Sequence, residues 1–125
     1  MGFDLAGIED EADAGVRATA AREAEALRQL CRPLAFPALA KELARLRVSV
    51  AKRPEEDVDY KAAVAVYAEE LGKYPADLVV AALRTWARAE RFWPTLAELH
   101  DRIGPKARRR LALLEALERI AEGRP

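Results

Sequence analysis

Residues 74–86, Tyr-Pro-Ala-Asp-Leu-Val-Val-Ala-Ala-Leu-Arg-Thr-Trp, decide the fold class of this sequence. The stretch opens on an aromatic-proline pair, and proline suits the first turn of a helix because its missing N–H has no intrahelical partner there. Asp77 then places a negative charge near the positive end of the helix dipole. Apolar side chains recur at helical spacing, at Leu78, Val79, Ala82, Leu83 and Trp86. The stretch therefore predicts an amphipathic helix that ends near Ala89.

Helical patterns extend outward from this stretch in both directions. The expected helices span about residues 9–32, 37–53, 55–71, 75–89, 95–104 and 106–122. No segment alternates apolar and polar residues between hairpin turns, as a half-buried strand would. The sequence therefore predicts an all-α fold, a compact helical bundle of about five to six helices.

Several helix ends are marked by residue type. Thr95 and Glu98 have the spacing of a capping box, in which each side chain satisfies a backbone N–H that the first turn leaves open. Gly72 lies where a left-handed residue would end a helix. The pair Gly104-Pro105 predicts a second end, followed by a separate last helix.

Length and composition indicate one domain in a reducing compartment. At 125 residues the chain fits a single domain, which we expect to be helical over 9–125 after a flexible acidic arm at 1–8. The single cysteine, Cys31, forms no internal disulfide. No apolar run is long enough to span a bilayer and no secretory signal is present, so a cytoplasmic protein is expected.

The sequence offers little for catalysis or for metal binding. His100, Cys31 and Ser49 are the only residues of their types. Nucleophilic catalysis needs a nucleophile, a base and a group that orients the base, and a zinc site needs several His or Cys ligands. The glycines are scattered singly rather than grouped in a phosphate-binding loop. We therefore expect no catalytic residue, no metal site and no cofactor.

Two groups of residues are candidates for contact with a partner. On a continued helix, Arg84, Arg88 and Arg91 would share one face, with Trp93 close by. A basic cluster near the end of the chain comprises Lys106, Arg108, Arg109 and Arg110. The alternative is that both tryptophans and Phe92 fill the core, while the basic residues form a solvated rim. The net charge of zero argues against a chain held on nucleic acid by bulk charge alone.

One stretch resembles a known family. Residues 67–86 read Tyr-Ala-Glu-Glu-Leu-Gly-Lys-Tyr-Pro-Ala-Asp-Leu-Val-Val-Ala-Ala-Leu-Arg-Thr-Trp, and residues 91–99 read Arg-Phe-Trp-Pro-Thr-Leu-Ala-Glu-Leu. Both resemble the helical domain of bacteriophage replicative-helicase loaders and related uncharacterised prophage proteins. In that family an aromatic-proline turn opens one helix, and a Phe-aromatic-Pro-Ser/Thr turn opens the next. The family's helicase contact is associated with a flexible C-terminal region, whereas this chain continues from Lys106 in a patterned helix.

The resemblance implies a non-enzymatic accessory protein of phage-type DNA replication, an adaptor or loader that binds a replicative helicase. The expected contacts are the two groups of candidate residues above. A second interpretation is a small DNA-binding module of a prophage regulator or packaging protein. A third is a homodimeric structural protein, in which the Ala-rich first helix and the Leu-rich last helix pair between subunits.

Overall fold

The fold is entirely helical in the part of the chain that the structure describes. The structure is a computed structural model that describes residues 5–52 and 59–124, with side chains from Asp10 onward. These ranges contain five helices: α1 Leu5–Leu30, α2 Phe36–Ser49, α3 Tyr60–Leu71, α4 Ala76–Ala89 and α5 Leu96–Ala121. The predicted all-α fold is confirmed. None of the described helices is both long enough and apolar enough to cross a membrane.

The chain divides into two compact units. The terminal unit comprises Met1–Gln29 and Arg109–Pro125, and the central unit comprises Leu30–Arg108. Helix α1 already begins at Leu5, so residues 5–8 of the expected arm are helical, while residues 1–4 lie outside the described range. The single domain expected over 9–125 stays a prediction.

The central unit holds the main hydrophobic core. Helix α2 packs against both α3 and α4. It buries Leu39, Leu43 and Leu46, which recur at helical spacing along one face. Helix α4 buries Val79, Leu83 and Trp86 from the stripe that decides the fold class. The other members of this core are Val64, Ala68, Leu71, Leu99 and Ile103. The periodicity of residues 74–86 thus identified the buried face of α4.

Helix α3 is bounded by a side-chain cap and by a close glycine contact. The Asp59 carboxylate accepts a hydrogen bond of 3.1 Å from the backbone N–H of Lys61, which satisfies one open donor of the first turn. At the other end, Gly72 has a φ of −66° and is right-handed, so the expected left-handed residue is wrong. Glycine is needed here because a Cβ on Gly72 would lie 2.8 Å from the carbonyl oxygen of Ala68. The acidic residues 55–57 lie outside the described range.

Helix α5 corrects the predicted end at Gly104-Pro105. It runs without interruption from Leu96 to Ala121 with Pro105 inside it, so the separate last helix from Lys106 does not exist. A residue before proline is normally kept out of helical backbone, in part because its Cβ collides with the proline ring. Gly104 has no Cβ, and this removes that collision. Gly104 is also buried, and a Cβ built on it would lie 3.9 Å from the Tyr74 hydroxyl.

The terminal unit buries little apolar surface among its described residues. Ala20 and Ala24 of α1 are buried, which agrees with the alanine face that its sequence predicts. Leu114 and Leu117 of α5 are half-buried, whereas every side chain over residues 10–19 is exposed. An ion pair of 3.2 Å joins Arg28 of α1 to Glu118 of α5.

Candidate binding sites

Two connections of the central unit pair with each other and so position Trp93. The N–H of Ala51, just after α2, donates to the carbonyl of Arg91 at 2.9 Å, and the N–H of Trp93 donates to the carbonyl of Ala51 at 2.9 Å. These bonds form an isolated parallel bridge between Ala51 and Phe92. Consequently, the α4–α5 connection lies beside the end of α2, with Trp93 at the junction.

Trp86 also anchors the α4–α5 connection. The buried indole N–H of Trp86 donates to the carbonyl of Phe92 at 2.7 Å. The Arg102 guanidinium lies 4.5 Å from the Trp86 ring centre and forms an ion pair of 2.9 Å with Glu90. Because a buried indole needs an acceptor, this bond fixes both the tryptophan and the backbone that follows α4.

Three aromatic rings meet at this junction. The ring centres of Tyr67 and Trp93 are 5.5 Å apart, and those of Tyr60 and Trp93 are 6.4 Å apart with an edge-to-face arrangement. The Tyr67 hydroxyl donates to the carbonyl of Pro94 at 2.7 Å. The rings line a cavity of about 340 Å³, which we call the aromatic pocket. Its lining residues are Arg47, Val50, Ala51, Lys52, Tyr60, Ala63, Tyr67 and Trp93.

The charged side chains among these lining residues are basic. The guanidinium carbon of Arg47 lies 3.9 Å from the centre of the Tyr60 ring, a cation–π contact. Lys52 is the second cation of the lining. The Tyr60 hydroxyl is buried and, within the described part of the chain, has no hydrogen-bond partner. The pocket can therefore accept an apolar or planar group that carries a negative charge beside it.

A second concave surface lies between α2 and α4. It encloses about 180 Å³ and is here called the arginine cleft. Its lining residues are Glu42, Arg45, Leu46, Ser49, Leu83, Arg84, Ala87 and Arg88. Arg84 forms an ion pair of 2.8 Å with Glu42 across the two helices. Hydrogen bonding to Glu42, together with its charge, raises the pKa of Arg84 above the ordinary value for arginine.

The predicted contact residues separate in the structure. Arg84 and Arg88 both line the arginine cleft. Arg91 follows the end of α4 at Ala89, so the helical face predicted for all three arginines is wrong for Arg91. The reason is that the chain turns extended at Glu90 to make the bridge to Ala51. Trp93 is half-buried against two tyrosines rather than exposed.

The basic cluster lies on α5 and is divided between the two units. Lys106 and Arg108 belong to the central unit and are exposed. Arg109 and Arg110 belong to the terminal unit, where Arg109 is exposed and Arg110 is half-buried. Their role in binding a partner stays a prediction.

The lone histidine takes part in a hydrogen bond between α5 and the α3–α4 connection. The Nδ1 atom of His100 on α5 lies 2.6 Å from the hydroxyl of Tyr74, which precedes α4. Its Nε2 atom lies 3.5 Å from a carboxylate oxygen of Glu70 on α3. A neutral ring with its proton on Nε2 accepts from Tyr74 and faces Glu70 with its N–H. This arrangement ties three elements together at a half-buried position. Among the described residues, no cluster of three His, Cys, Asp or Glu side chains could hold a metal ion.

Several residues of these surfaces were not singled out from sequence. Tyr60 and Arg47 were missed because their neighbours in the pocket come from distant parts of the chain. Arg45 and Ser49 were missed as well, although a signal existed: with Glu42 they lie at i, i+3 and i+7 on the polar side of α2.

Comparison with known proteins adds no assignment. No family model, curated protein sequence or solved structure matches this chain.

Proposed function

We propose that this protein is a non-enzymatic adaptor of phage-type DNA replication, acting in the cytoplasm, that binds a replicative helicase through the aromatic pocket. The observation that supports this proposal is the convergence of the two segments that resemble helicase loaders. Tyr67 comes from the first segment, and Trp93 and Pro94 come from the second. The ring centres of Tyr67 and Trp93 are 5.5 Å apart, and the Tyr67 hydroxyl lies 2.7 Å from the carbonyl oxygen of Pro94. The two segments thereby build one concave surface.

The chemistry of the pocket fits a protein segment better than a catalytic substrate. Aromatic and arginine side chains are the types that dominate the energy of protein interfaces. The volume of about 340 Å³ is at the small end of the range for ligand sites, enough for one or two anchoring side chains. Arg47, an exposed cation of the lining, favours an acidic neighbour next to that anchor.

The test is co-purification with the cognate hexameric helicase at micromolar concentration and moderate salt. We expect the wild-type chain to be retained by immobilised helicase and Arg47→Gln to be retained much less. Arg47 is exposed, so this substitution removes a cation without opening the core. The matched control is Arg45→Gln, on the same helix but in the arginine cleft, which we expect to bind as the wild type does. Failure of the wild-type chain to bind the helicase would reject the proposal.

A second candidate function is self-association through the terminal unit. The supporting observation is that Leu113 and Ile120 of α5 are 54% and 43% exposed and lie two turns apart on one face of the helix. Apolar side chains grouped at a surface are typical of a face that a second subunit covers. Sedimentation equilibrium should then show a dimer that Leu113→Ser/Ile120→Ser converts to a monomer. The control is Val48→Ser in the central unit, where the side chain is 90% exposed and should not affect association. A monomeric wild type at high concentration excludes this function.

A further inference from the structure

We propose that the arginine cleft binds a phosphate group of a nucleic acid strand, held between Arg45 and Arg88. This inference concerns a surface separate from the aromatic pocket and does not rest on the helicase proposal. It begins from helix geometry. Arg45 and Ser49 lie one turn apart on α2, and Arg84 and Arg88 lie one turn apart on α4. Because α2 packs against α4, cations from both helices line one cleft.

The lining of the cleft has more cationic than anionic side chains. Its lining has three guanidinium groups and a single carboxylate, that of Glu42. Glu42 pairs with Arg84 through contacts of 2.8 Å and 3.4 Å to two guanidinium nitrogens. Arg45 and Arg88 form no ion pair within the described ranges 5–52 and 59–124. The cleft therefore keeps two cations from neighbouring helices for an external anion.

A phosphate suits two separated guanidinium groups better than a carboxylate does. The two oxygens of a carboxylate are satisfied by one arginine in a bidentate pair. A phosphodiester also has two charged oxygens, but they diverge from a tetrahedral phosphorus, so each can accept from a different cation when the cations approach from two sides. Ser49 lies on the same wall, but its hydroxyl proton is used in a hydrogen bond of 2.9 Å to the carbonyl of Arg45, so the arginines supply the contacts to an anion.

The shape of the cleft favours a strand over a free nucleotide. A volume of about 180 Å³ accommodates the phosphate alone. No aromatic ring lines the cleft, and its floor is formed by the buried Leu46 and Leu83. A base would find no stacking surface there, so a mononucleotide would be held by its phosphate only. A strand presents that phosphate on a continuous backbone, and contacts of this kind are what position proteins on nucleic acids.

The test is fluorescence anisotropy of a short labelled oligothymidylate titrated with the full-length protein at low salt. We expect Arg45→Gln/Arg88→Gln to weaken binding at least about tenfold, since charge-assisted hydrogen bonds are lost. The slope of log K against log salt should fall in magnitude by about 0.7, the value for one phosphate contact on a single strand. The matched control is Arg17→Gln/Arg32→Gln, which removes equal charge from exposed positions outside the cleft. An equal loss in the control, or no binding by the wild type, overturns the proposal.

A substitution that should tighten binding provides a second test of the cleft. Glu42→Gln removes the carboxylate of the cleft and releases Arg84, so binding should tighten. Glu69→Gln, an exposed carboxylate on α3, removes the same charge elsewhere and should change the affinity much less.

A competition experiment with inorganic phosphate distinguishes a strand from the free ion. Its concentration is matched to the concentration of phosphate groups in the oligonucleotide. If inorganic phosphate displaces the oligonucleotide under this condition, the cleft binds the free ion and the assignment to a strand is wrong. Helicase retention by the Arg45→Gln variant should be unchanged, which separates failure here from failure of the adaptor proposal.

Discussion

The three tyrosines of this chain differ in how their hydroxyl groups are satisfied. Tyr67 donates to the carbonyl of Pro94, and Tyr74 pairs with Nδ1 of His100. The Tyr60 hydroxyl is buried but has no partner in the described residues. A buried polar group without a partner costs free energy, whereas a satisfied one contributes a modest net stabilisation.

Replacing each tyrosine by phenylalanine should therefore give effects of different sign. Tyr67→Phe and Tyr74→Phe each lose a hydrogen bond and should lower the free energy of unfolding by about 0.5–1.5 kcal/mol. Tyr60→Phe removes an unsatisfied hydroxyl and should leave stability unchanged or raise it. Urea denaturation followed by circular dichroism measures all three. A loss in Tyr60→Phe as large as in the other two would mean that its hydroxyl has a partner after all.

At the scale of a single element, the start of α5 depends on a reciprocal cap. The N–H of Glu98 donates to the Thr95 hydroxyl at 3.1 Å, and the N–H of Thr95 donates to the Glu98 carboxylate at 3.0 Å. The capping box predicted from sequence is thereby confirmed. Thr95→Ala should lower the free energy of unfolding by about 0.5–2 kcal/mol. Thr85→Ala, at an exposed position within α4, is the control and should be neutral or stabilising because alanine is the better helix former. Thermal unfolding compares the two variants.

The continuity of α5 through Pro105 also has a measurable consequence. Within a helix, Pro105 cannot donate to the carbonyl of Asp101, and its ring crowds that carbonyl. Pro105→Ala should raise the free energy of unfolding, by up to about 3 kcal/mol. If the chain instead began a new helix at this point, proline would be well placed and the same substitution would be neutral or destabilising.

Gly104 provides the control, because the same substitution should change stability in opposite directions with and without Pro105. In the wild type, Gly104→Ala restores the Cβ that collides with the proline ring and should destabilise the protein. In the Pro105→Ala background that ring is absent, and the better helix propensity of alanine should stabilise it by up to about 1 kcal/mol. The new Cβ would then lie 3.2 Å from the flexible end of Arg108, which can move aside. Additive effects in the two backgrounds would contradict the proposed role of Gly104.

At the scale of the whole molecule, stability should differ between the two units. The central unit contains all the buried core residues except Ala20 and Ala24. Local opening free energies follow buried apolar contact. We expect the slowest hydrogen exchange in α2 and α4 and much faster exchange over residues 10–19, whose side chains are all exposed. Mass spectrometry of exchanged peptides measures this difference. Equal protection of residues 10–19 would indicate that a partner or a second copy covers them.

The candidate sites were predictable only in part, and the arginines illustrate why. Arg84 and Arg88 were identified because both lie on one helix, where spacing along the chain reports a shared face. Arg45 faces the same cleft from α2, and only the packing of α2 on α4 brings it there. Arg91 shares that face only on a helix continued past the end predicted near Ala89, and its actual place depends on a hydrogen bond from Ala51, which is distant in sequence.

The sequence by itself determined the helical class, the buried faces of α2 and α4 and the cap of α5. Each of these follows from spacing of three or four residues, which is a local property of the chain. Only the tertiary structure decided that α5 continues through Gly104-Pro105, where the glycine is buried beside Tyr74. It also decided that Trp93 is half-buried against Tyr60 and Tyr67 and that a cleft of arginines lies between two helices. Those features depend on which faces of distant segments meet, and this is set by the packing of the core rather than by any local pattern.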